Sequence, residues 1–501
     1  MKRVVTAAEM RALDRAAIDD IGIPALLLMD TAGRAVADAA ARMLGPVRGH
    51  VAVVCGPGNN GGDGFVAARV LRDRGFDAVV YLAAARDAVR GDARAHLDIF
   101  ERAGGTVEPI ASPDELAAID TRVIDAALVI DALFGVGLAR PVADHLAEVV
   151  AMMLMADRVL AVDLPSGLDT DTGRALGAAV IAERTVTMAA LKIALVSAPG
   201  FAHAGEIEVA EIGIPAALLA ESPGRAAVVE PGDVRQWLPH PRALEHKGRR
   251  GHVLVVAGSP GMRGAGRLAA TAALRAGAGL CTLAADGELD APDSIMTRSL
   301  GGAELAALFA GKAAIVIGPG IGSSAAAAAR TRDVLAAGIP AVLDADALNA
   351  MAGDATAIAR AAGPIVLTPH PGEASRLLGI PVADIEADRL AAARALADRT
   401  RAVIVLKGAR TIVCDGSTPD RHCAINPTGG PALATGGSGD VLAGTIGALL
   451  AQGLSAVDAA RAGVFVHGAA GDRLAEIHGA RGVMSSDLPD AIAQAIRALS
   501  S

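Results

Sequence analysis

The chain has 501 residues, of which 52% are hydrophobic and 2% aromatic, and a net charge of −9 from 46 Lys and Arg against 55 Asp and Glu. This length predicts at least two domains, each large enough for its own core. The net negative charge argues against a nucleic-acid-binding protein, although a local basic patch is still compatible with it. The scarcity of aromatic rings argues against binding by base stacking.

The cysteines and the N-terminus indicate the cellular compartment. Cys55, Cys281, Cys414 and Cys423 show neither CxxC spacing nor clustering with histidines, so the sequence predicts no disulfide and no cysteine metal site. Glu9 stands where a signal peptide needs its apolar core, and Gly, Pro, Ser or Gln interrupts the longest uncharged stretches. We therefore expect a cytoplasmic protein with no membrane partner.

Apolar runs rich in β-branched residues alternate with Ala/Leu/Arg segments of helical period, which is typical of parallel sheets covered by helices. The predicted strands are 51–55, 78–82, 128–132, 159–164, 253–257, 314–317, 341–343, 365–367 and 403–406. Most of these runs end in Gly, Asp or Pro. Because ligands of open α/β sheets bind at the carboxyl ends of strands, the loops that follow are the first candidates for a site.

A proline-rich segment separates the two halves of the chain. Prolines at 215, 223, 231, 239 and 241 precede a His/Lys/Arg cluster, after which a new strand begins near Gly251. Such a segment indicates a domain boundary near 220–235, and we predict one domain over 1–224 and a second over 225–501. The halves show no obvious repeat of each other.

A glycine-rich loop over 56–64, Gly-Pro-Gly-Asn-Asn-Gly-Gly-Asp-Gly, follows the run 51–55 and opens a helix. Three of its glycines match the GxGxxG dinucleotide fingerprint, but the next strand ends in Ala-Ala-Ala, without the acid that would hold a ribose. An ordinary dehydrogenase site is therefore disfavoured. The loop instead carries more oxygen-bearing side chains than a phosphate cradle needs, namely Asn59, Asn60 and Asp63.

Two other strand ends in the first half carry aspartates, Asp131 and Asp163. If these strands are neighbours, both aspartates join the glycine loop in one polar pocket. Oxygen donors such as Asn60, Asp131 and Ser166 suit a hard cation and not zinc. The alternative is that Asp131 and Asp163 only cap loops.

A second glycine-rich block, residues 426–444, leads into an apolar helix. Gly436, Gly437 and Gly439 allow backbone N–H groups to converge at the helix N-terminus, where the dipole favours a transferring phosphoryl group. Asp440 in the first turn can take a proton from a substrate hydroxyl. The block predicts phosphoryl transfer, and the alternative is a flexible turn followed by an N-capping aspartate.

Four motifs of the first half occur in order: Leu28-Met-Asp-Thr-Ala-Gly33, the 56–64 loop, Asp131-Ala-Leu-Phe-Gly-Val-Gly137 and Val162-Asp-Leu-Pro-Ser-Gly167. Through them this half resembles the NAD(P)H-hydrate epimerase family. The resemblance implies a Rossmann-like three-layer domain and a potassium ion on Asn60, Asp131 and Ser166. The substrate contacts that it implies are Asn59, Asn60, Gly61, Gly62, Asp63, Gly135, Val136, Gly137, Leu138, Ala139, Arg140, Pro141 and Asp163.

The second half carries Lys247-Gly, Gly251-His-Val-Leu-Val-Val-Ala-Gly-Ser, Gly318-Pro-Gly-Ile-Gly, Asp344-Ala-Asp-Ala-Leu-Asn, Thr368-Pro-His-Pro-Gly-Glu, Lys407-Gly and the 426–444 block. It resembles the ribokinase-like, ADP-dependent NAD(P)H-hydrate dehydratases, which implies a ribokinase-like α/β domain. The resemblance implies that Mg²⁺ accompanies ADP and that the hydrate contacts Gly320, His370 and Asp440. The ADP contacts that it implies are Lys407, Gly408, Ala409, Arg410, Thr411, Gly436, Gly437, Ser438 and Gly439. One departure is Gly430, where the family more often has Asn; we expect it to affect loop packing and not the chemistry.

The chemistry of the implied substrates, hydrated NADH and NADPH (NADHX and NADPHX), explains why a kinase fold could dehydrate them. Hydroxide is a poor leaving group, and phosphorylation of the C6 hydroxyl replaces a conjugate acid of pKa ~15.7 by one of pKa ~6, so that the ring nitrogen can expel phosphate. Asp440 would be the base, and the products would be NAD(P)H, AMP and phosphate. Only the S form would react, and the first half would interconvert R and S with Asp163 as proton shuttle.

Two residues have competing interpretations. Lys192 lies between apolar residues and is a weaker candidate for the epimerase site, since such a lysine can extend its amine to solvent. His370 between two prolines fits a rigid turn at a strand end, and the alternative is a core histidine.

Alternative functions also remain open on the sequence. The second half could be a true kinase for a hydroxymethylpyrimidine or a sugar, and the first half a nucleotide-binding or protein-interaction module without turnover. The set Asn59, Asn60, Asp63, Asp131 and Asp163 argues against the latter, because a retired site would be free to lose these residues. We expect a homo-oligomer, and the sequence does not decide between NADHX and NADPHX.

Overall fold

The computed structural model describes residues 1–47, 49–221, 224, 226–240, 243–287, 290–300 and 305–500. The chain divides into two compact units. The N-terminal unit is Arg3–Gly224, and the C-terminal unit is Met1–Lys2 together with Arg225–Ser501. Within the described residues, no helix is both long and apolar enough to cross a bilayer.

The N-terminal unit is built on parallel strands. They are β1 (Lys2–Val5), β2 (His50–Cys55), β3 (Asp77–Leu82), β4 (Val107–Pro109), β5 (Leu128–Ala132), β6 (Val159–Val162), β7 (Arg184–Met188), β8 (Leu191–Lys192) and β9 (Glu206–Ala210). Seven of them form one sheet in the order β4-β3-β2-β5-β6-β7-β9. Strand β1 pairs with β8 apart from this sheet, with Val5 opposite Lys192.

Helices cover both faces of the seven-stranded sheet. They are α1 (Ala7–Arg15), α2 (Ala25–Leu44), α3 (Asn59–Asp73), α4 (Gly91–Arg102), α5 (Pro113–Ala117), α6 (Asp120–Ile124), α7 (Asp144–Leu154), α8 (Ile193–Val196), α9 (Phe201–Ala204) and α10 (Ala216–Glu221). Alternate residues of β2 enter different cores: Val53 packs in the core that contains Phe65 of α3, and Val54 in the core that contains Met153 of α7. The unit therefore has three layers.

The C-terminal unit has a larger sheet. Its strands are β10 (Ala226–Val228), β11 (His252–Val256), β12 (Leu280–Ala285), β13 (Met296–Ser299), β14 (Ala314–Ile317), β15 (Ala341–Leu343), β16 (Ile365–Leu367), β17 (Val403–Leu406), β18 (Ile412–Cys414) and β19 (Cys423–Ile425). They follow the order β13-β12-β11-β14-β15-β16-β17-β18-β19-β10. Pairing is parallel except that β18 runs antiparallel to both β17 and β19.

The helices of this unit are α11 (Pro231–Trp237), α12 (Arg263–Arg275), α13 (Ala325–Ala336), α14 (Asp346–Met351), α15 (Pro371–Leu378), α16 (Val382–Ala387), α17 (Arg389–Thr400), α18 (Ser438–Ala451), α19 (Ala456–His478) and α20 (Leu488–Ser500). Helix α18 packs through glycines. A Cβ on Gly444 would lie 2.0 Å from the Ala269 carbonyl oxygen of α12, and one on Gly447 would lie 2.3 Å from Val316 of β14. Only glycine at these positions lets α18 pack this closely against α12 and the sheet.

The prediction of mainly parallel α/β sheets in both halves is confirmed. The observed bounds match the predicted strands 128–132, 314–317, 341–343, 365–367 and 403–406. Strands β2, β3 and β11 each begin one residue early, and β11 also ends one residue early. The predicted strand 159–164 stops at Val162, because Asp163 has φ +66° and turns the chain out of the sheet.

Candidate active sites

A cavity of about 540 Å³ lies in the N-terminal unit where β2, β5 and β6 end. It brings together eight of the predicted substrate contacts: Asn59, Asn60, Asp63, Gly135, Val136, Gly137, Leu138 and Asp163. Its lining also includes residues that the sequence prediction missed or ranked low, notably Asp14 and Lys192. These groups come from separate chain segments, so the cavity depends on the fold of the whole unit.

Five predicted contacts, Gly61, Gly62, Ala139, Arg140 and Pro141, are not part of the cavity lining. The two glycines have packing roles instead. A Cβ on Gly61 would lie 2.0 Å from the Gly56 carbonyl oxygen, and one on Gly62 would lie 2.4 Å from the Met29 sulfur. Their lack of side chains therefore allows α3 to start close to its own loop and to pack against α2.

Lys192 is fully buried, so the interpretation that its amine reaches solvent is wrong. Its Nζ donates to Asp163 Oδ1 at 2.5 Å, to Thr187 Oγ1 at 2.9 Å and to the Met188 carbonyl oxygen at 2.8 Å. All three protons of the ammonium are thus used. Asp163 Oδ2 points the other way, lying 3.2 Å from where a Gly135 Cβ would stand. The pair presents one anchored and one available carboxylate oxygen.

Three further carboxyl groups share this cavity with Asp163, namely Asp14, Asp63 and Asp92. Burial raises the pKa of Asp63 well above its usual range, and the charges of Asp163 and Asp14 raise it further while Lys192 opposes them. Burial also raises the pKa of Asp14, which Lys192 lowers and Asp163 raises. The cavity therefore combines an ion pair with two carboxyls that favour the neutral form more than a solvated aspartate does.

The predicted potassium ligands Asp131 and Ser166 are in direct contact and fully buried. Asp131 accepts hydrogen bonds from Ser166 Oγ at 2.6 Å, from Ser166 N at 2.8 Å and from Leu133 N at 3.3 Å. Burial raises the pKa of Asp131 to about 6 despite these bonds. No cationic side chain among the described residues pairs with Asp131. It caps loops, as the alternative interpretation stated, and it also lacks a counter-charge.

Asn60 approaches the same region from the start of α3. Its Oδ1 lies 3.0 Å from where a Gly135 Cβ would stand. The residue before Gly135 is Phe134, and its carbonyl oxygen accepts a hydrogen bond from Ser166 Oγ at 3.1 Å. The Asn60 Nδ2 is buried without a hydrogen-bond partner in the part of the chain that the structure describes. Asn60, Asp131 and Ser166 thus belong to one oxygen-rich neighbourhood.

In the C-terminal unit, four neighbouring parallel strands, β14 to β17, end at the predicted site. They lead into the loop 318–322, into Asp344, into the turn that carries His370, and into Lys407. The N-terminus of α18 meets them there, since a Cβ on Gly439 would lie 3.3 Å from Lys407 Nζ and 3.8 Å from Asp344 Oδ2. The carboxyl ends of the strands and a helix N-terminus therefore face one point, as expected for an anion site.

Lys407 and Asp344 form a buried ion pair in this site, at 2.8 Å between Nζ and Oδ1. Asp344 also accepts a hydrogen bond from Thr368 Oγ1 at 2.7 Å. Burial alone would lower the pKa of Lys407, but the Asp344 and Glu373 carboxylates raise it above its usual value. Lys407 is therefore a fixed cation next to the first turn of α18 and next to Gly439.

Asp440 lies in that first turn, after an N-cap at Gly437 with φ +90°. Burial raises the pKa of Asp440 to about 7, assisted by the charge of Asp344 and opposed by Lys407. A carboxylate with this pKa is suited to accept a proton near neutrality.

His370 and Gly320 shape the edge of the site. The His370 side chain is 49% exposed, so a core histidine is excluded. Its Nδ1 accepts hydrogen bonds from Gly372 N at 3.0 Å and Glu373 N at 3.4 Å, which caps α15 and fixes the ring. Gly320 has φ +62°, and its carbonyl oxygen accepts a hydrogen bond from Ser259 N at 2.6 Å.

The predicted ADP contacts 407–411 run from the end of β17 to the start of β18. Arg410 donates to the Pro427 carbonyl oxygen at 2.7 Å, which joins this turn to the 426–444 block. Ser438 is buried, and its hydroxyl and carbonyl oxygens lie 3.2 and 3.0 Å from His467 Nε2. Its side chain therefore faces the protein interior and not a bound phosphate.

Comparison with known proteins agrees with this two-site description. Residues 25–194 match the family model described as "YjeF-related protein N-terminus", and residues 253–494 match the model described as "NAD(P)H-hydrate dehydratase". A ribokinase-like superfamily protein from Enterococcus faecalis V583 is 25% identical with a TM-score of 0.50, and the match covers 55% of this chain and 97% of that chain. The prediction of a ribokinase-like C-terminal fold is thereby confirmed.

Two full-length relatives carry the same printed name. The "Bifunctional NAD(P)H-hydrate repair enzyme Nnr" of Moorella thermoacetica is 43% identical, over 99% of this chain and 97% of that protein. The protein of that name from Escherichia coli K12 is 36% identical, over 96% of this chain and 92% of that protein. The chain belongs to the family of bifunctional NAD(P)H-hydrate repair enzymes.

Proposed function

We propose that this protein repairs hydrated NADH and NADPH in two steps. Residues 1–224 would form the epimerase domain, which interconverts the R and S forms at C6. Residues 225–501 would form the dehydratase domain, which converts the S form to NAD(P)H with ADP and releases AMP and phosphate. The observation that carries this proposal is the presence of a carboxyl suited to proton transfer at the predicted site of each unit: Asp163 in the cavity and Asp440 in the first turn of α18.

In the dehydratase site, Asp440 would take the proton from the C6 hydroxyl as that oxygen attacks the β-phosphorus of ADP. The N–H groups of residues 436–440 and the Lys407 cation would stabilise the charge on the transferring phosphoryl group. The ring nitrogen then expels phosphate, and loss of a C5 proton restores the double bond. Supporting this assignment, Lys407 lies 3.3 Å from where a Gly439 Cβ would stand.

In the epimerase cavity, an acid would help the C6 hydroxyl leave as water, and the ring nitrogen would form an iminium. Water could then add to either face of C6, which interconverts the epimers. Asp163 suits the role of base, because Lys192 holds Oδ1 and leaves Oδ2 available.

Potassium fits the region around Asp131. Its donors are hard oxygens from Asp131, Ser166 and Asn60, and Asp131 is a fully buried carboxylate. Within the described residues, no protein cation neutralises it. A bound potassium ion would supply that charge and order the loops after β5 and β6.

Replacing potassium by tetramethylammonium should therefore slow epimerisation and lower the thermal transition of the N-terminal unit. The physical reason is that a cation bound only by the folded state stabilises it in proportion to RT ln(1 + [L]/Kd). Asp131→Asn should abolish this salt effect, because the amide needs no counter-charge. The potassium proposal fails if the transition of the unchanged protein does not respond to the identity of the salt.

Magnesium fits the dehydratase site in a different manner. Among the described residues, no group of three or more His, Cys, Asp or Glu side chains is arranged to hold a metal ion. Mg²⁺ commonly uses one or two carboxylates together with substrate phosphates. Asp346 lies close enough to Asp440 for its charge to raise the pKa of Asp440, so Asp346 is the candidate carboxylate beside the nucleotide and Asp440 stays available as the base.

The direct test is to incubate the protein with ADP, Mg²⁺ and a mixture of NADHX epimers and to follow the reduced-nicotinamide absorbance. Complete conversion with release of free phosphate would support both activities. Accumulation of a stable phosphorylated product would instead favour the small-molecule kinase alternative.

The pH dependence of the dehydratase provides a sharper test of Asp440. The base is active when deprotonated, so kcat/KM for the S hydrate should fall as the pH drops through about 7. Asp344→Asn removes a charge that raises the pKa of Asp440, so this variant should shift the fall to lower pH. A profile without an acidic fall would contradict the role of Asp440.

A further inference from the structure

Asp14 has the features of an active-site group but lies outside every motif discussed above. It precedes the region matched by the N-terminal family model, which begins at residue 25. Yet it lines the same cavity as Asp163 and Lys192. Its carboxyl has no hydrogen bond or ion pair to another described residue, so both carboxyl oxygens are available to a ligand.

The position of Asp14 is set by the same pairing that positions Lys192. Val5 of β1 lies opposite Lys192 of β8, and α1 begins two residues after Val5. Thr6 caps that helix through a reciprocal pair of hydrogen bonds with Glu9, at 3.1 and 2.8 Å. Helix α1 therefore starts from a fixed point next to Lys192. Its buried positions, such as Met10, lie on the side that also presents Asp14 to the cavity.

An epimerisation at C6 needs proton transfer on both faces of the ring. The group that helps hydroxide leave from one face is not placed to accept a proton from water that attacks the other. Asp163 and Asp14 both line the cavity but come from different elements, the turn after β6 and helix α1, and the charge of Asp163 raises the pKa of Asp14. They can therefore serve one face each.

We propose that Asp14 is a second catalytic residue of the epimerase and works with Asp163, one carboxyl on each face of the hydrate ring. This inference rests on the epimerase function proposed above. In one direction Asp14 gives its proton to the C6 hydroxyl, the C–O bond breaks, and the nitrogen lone pair forms the C=N bond. Water then attacks the other face, its proton passes to Asp163, and the electron pair returns to nitrogen. The reverse reaction returns the proton to Asp14.

Asp63 is the competing acid, since it lines the same cavity. Its pKa is raised well above the usual range, whereas that of Asp14 is raised less strongly. A carboxyl whose pKa is raised more strongly gives up its proton less readily in each turnover. Asp14 is thus better suited to a reversible reaction, and Asp63 to holding the substrate.

The test uses the full chain and pure R-NADHX, with excess ADP and Mg²⁺ to consume each S epimer as it forms. Asp14→Asn should slow conversion of the R epimer by a factor of about 10²–10⁴, while its rate on the S epimer stays unchanged as a control for folding. Asp20→Asn is the matched control, because Asp20 is an exposed carboxyl a short distance along the chain. It should leave both rates unchanged.

A pH profile distinguishes a catalytic from a structural role. If Asp14 must be protonated to act as an acid, kcat/KM for R-NADHX should fall as the pH rises. The residual activity of Asp14→Asn should lack this fall. Asp14→Glu should show it at a shifted pH. The inference is overturned if either variant shows the same fall in kcat/KM at the same pH as the unchanged protein. It is also overturned if Asp14→Asn keeps full activity on the R epimer. If the unchanged protein itself fails to convert R-NADHX, then the epimerase proposal fails instead.

Discussion

Asp440→Asn should abolish ADP-dependent formation of NAD(P)H from the S hydrate while leaving ADP binding in place. The amide keeps the shape of the carboxyl but cannot accept the proton of the C6 hydroxyl, and loss of a general base costs a factor of about 10²–10⁴. The N-terminal turn of α18 should persist, because its N–H groups and the Lys407–Asp344 pair at 2.8 Å are untouched. Turnover is measured by nicotinamide absorbance, and ADP binding by calorimetry.

Asp420→Asn provides the control for this experiment. Asp420 is an exposed carboxyl in the turn between β18 and β19, so its replacement makes the same change of charge in the same unit without touching the site. It should leave both turnover and ADP binding unchanged. Turnover at the normal rate by Asp440→Asn would remove Asp440 from the mechanism.

Lys192→Met should be the most damaging change in the N-terminal unit. It leaves the Asp163 carboxylate buried without the cation that lies 2.5 Å away, and breaking one side of a buried ion pair costs about 3–5 kcal/mol. It also removes the group that fixes Asp163 Oδ1. We therefore expect both a lower free energy of unfolding for this unit and loss of epimerisation.

A double variant separates these two effects. Asp163→Asn combined with Lys192→Met removes both charges. The free energy of unfolding of the double variant should therefore be higher than that of Lys192→Met alone, because the two changes couple favourably. Epimerisation should not recover, because no carboxylate remains at this position. Chemical denaturation and conversion of R-NADHX provide the two measurements. Recovery of activity in the double variant would show that Asp163 only balances the charge of Lys192.

The sequence could predict the strands that form the two sites, because each is a short, mainly apolar run and most of these runs end close to a Gly, Asp or Pro. Asp163 and Asp440 could be identified for the same reason, since each immediately follows or opens a regular element. The roles of these two residues, the other site contacts, potassium binding, magnesium binding and the domain boundary remain predictions.

Other features depend on contacts that the sequence does not show. The burial of Lys192 requires Asp163, Thr187 and the Met188 carbonyl oxygen to converge on one amine. Gly61 and Gly62 belong to a loop that the sequence predicts to bind a ligand, yet their glycine identity is explained by packing, since a Cβ there would lie 2.0 and 2.4 Å from neighbouring atoms. Asp14 could have been suspected only as a carboxyl beside the buried positions of an amphipathic helix.

The glycine packing of α18 has a consequence for motion in the dehydratase site. Gly444 and Gly447 place this helix in backbone-level contact with α12 and β14, so a displacement of even an ångström toward either would bring main-chain or core atoms into collision. The end of the helix that we propose binds the phosphoryl group therefore has little room to move toward α12 or β14. Any adjustment of this site to a bound nucleotide is therefore expected from groups other than α18.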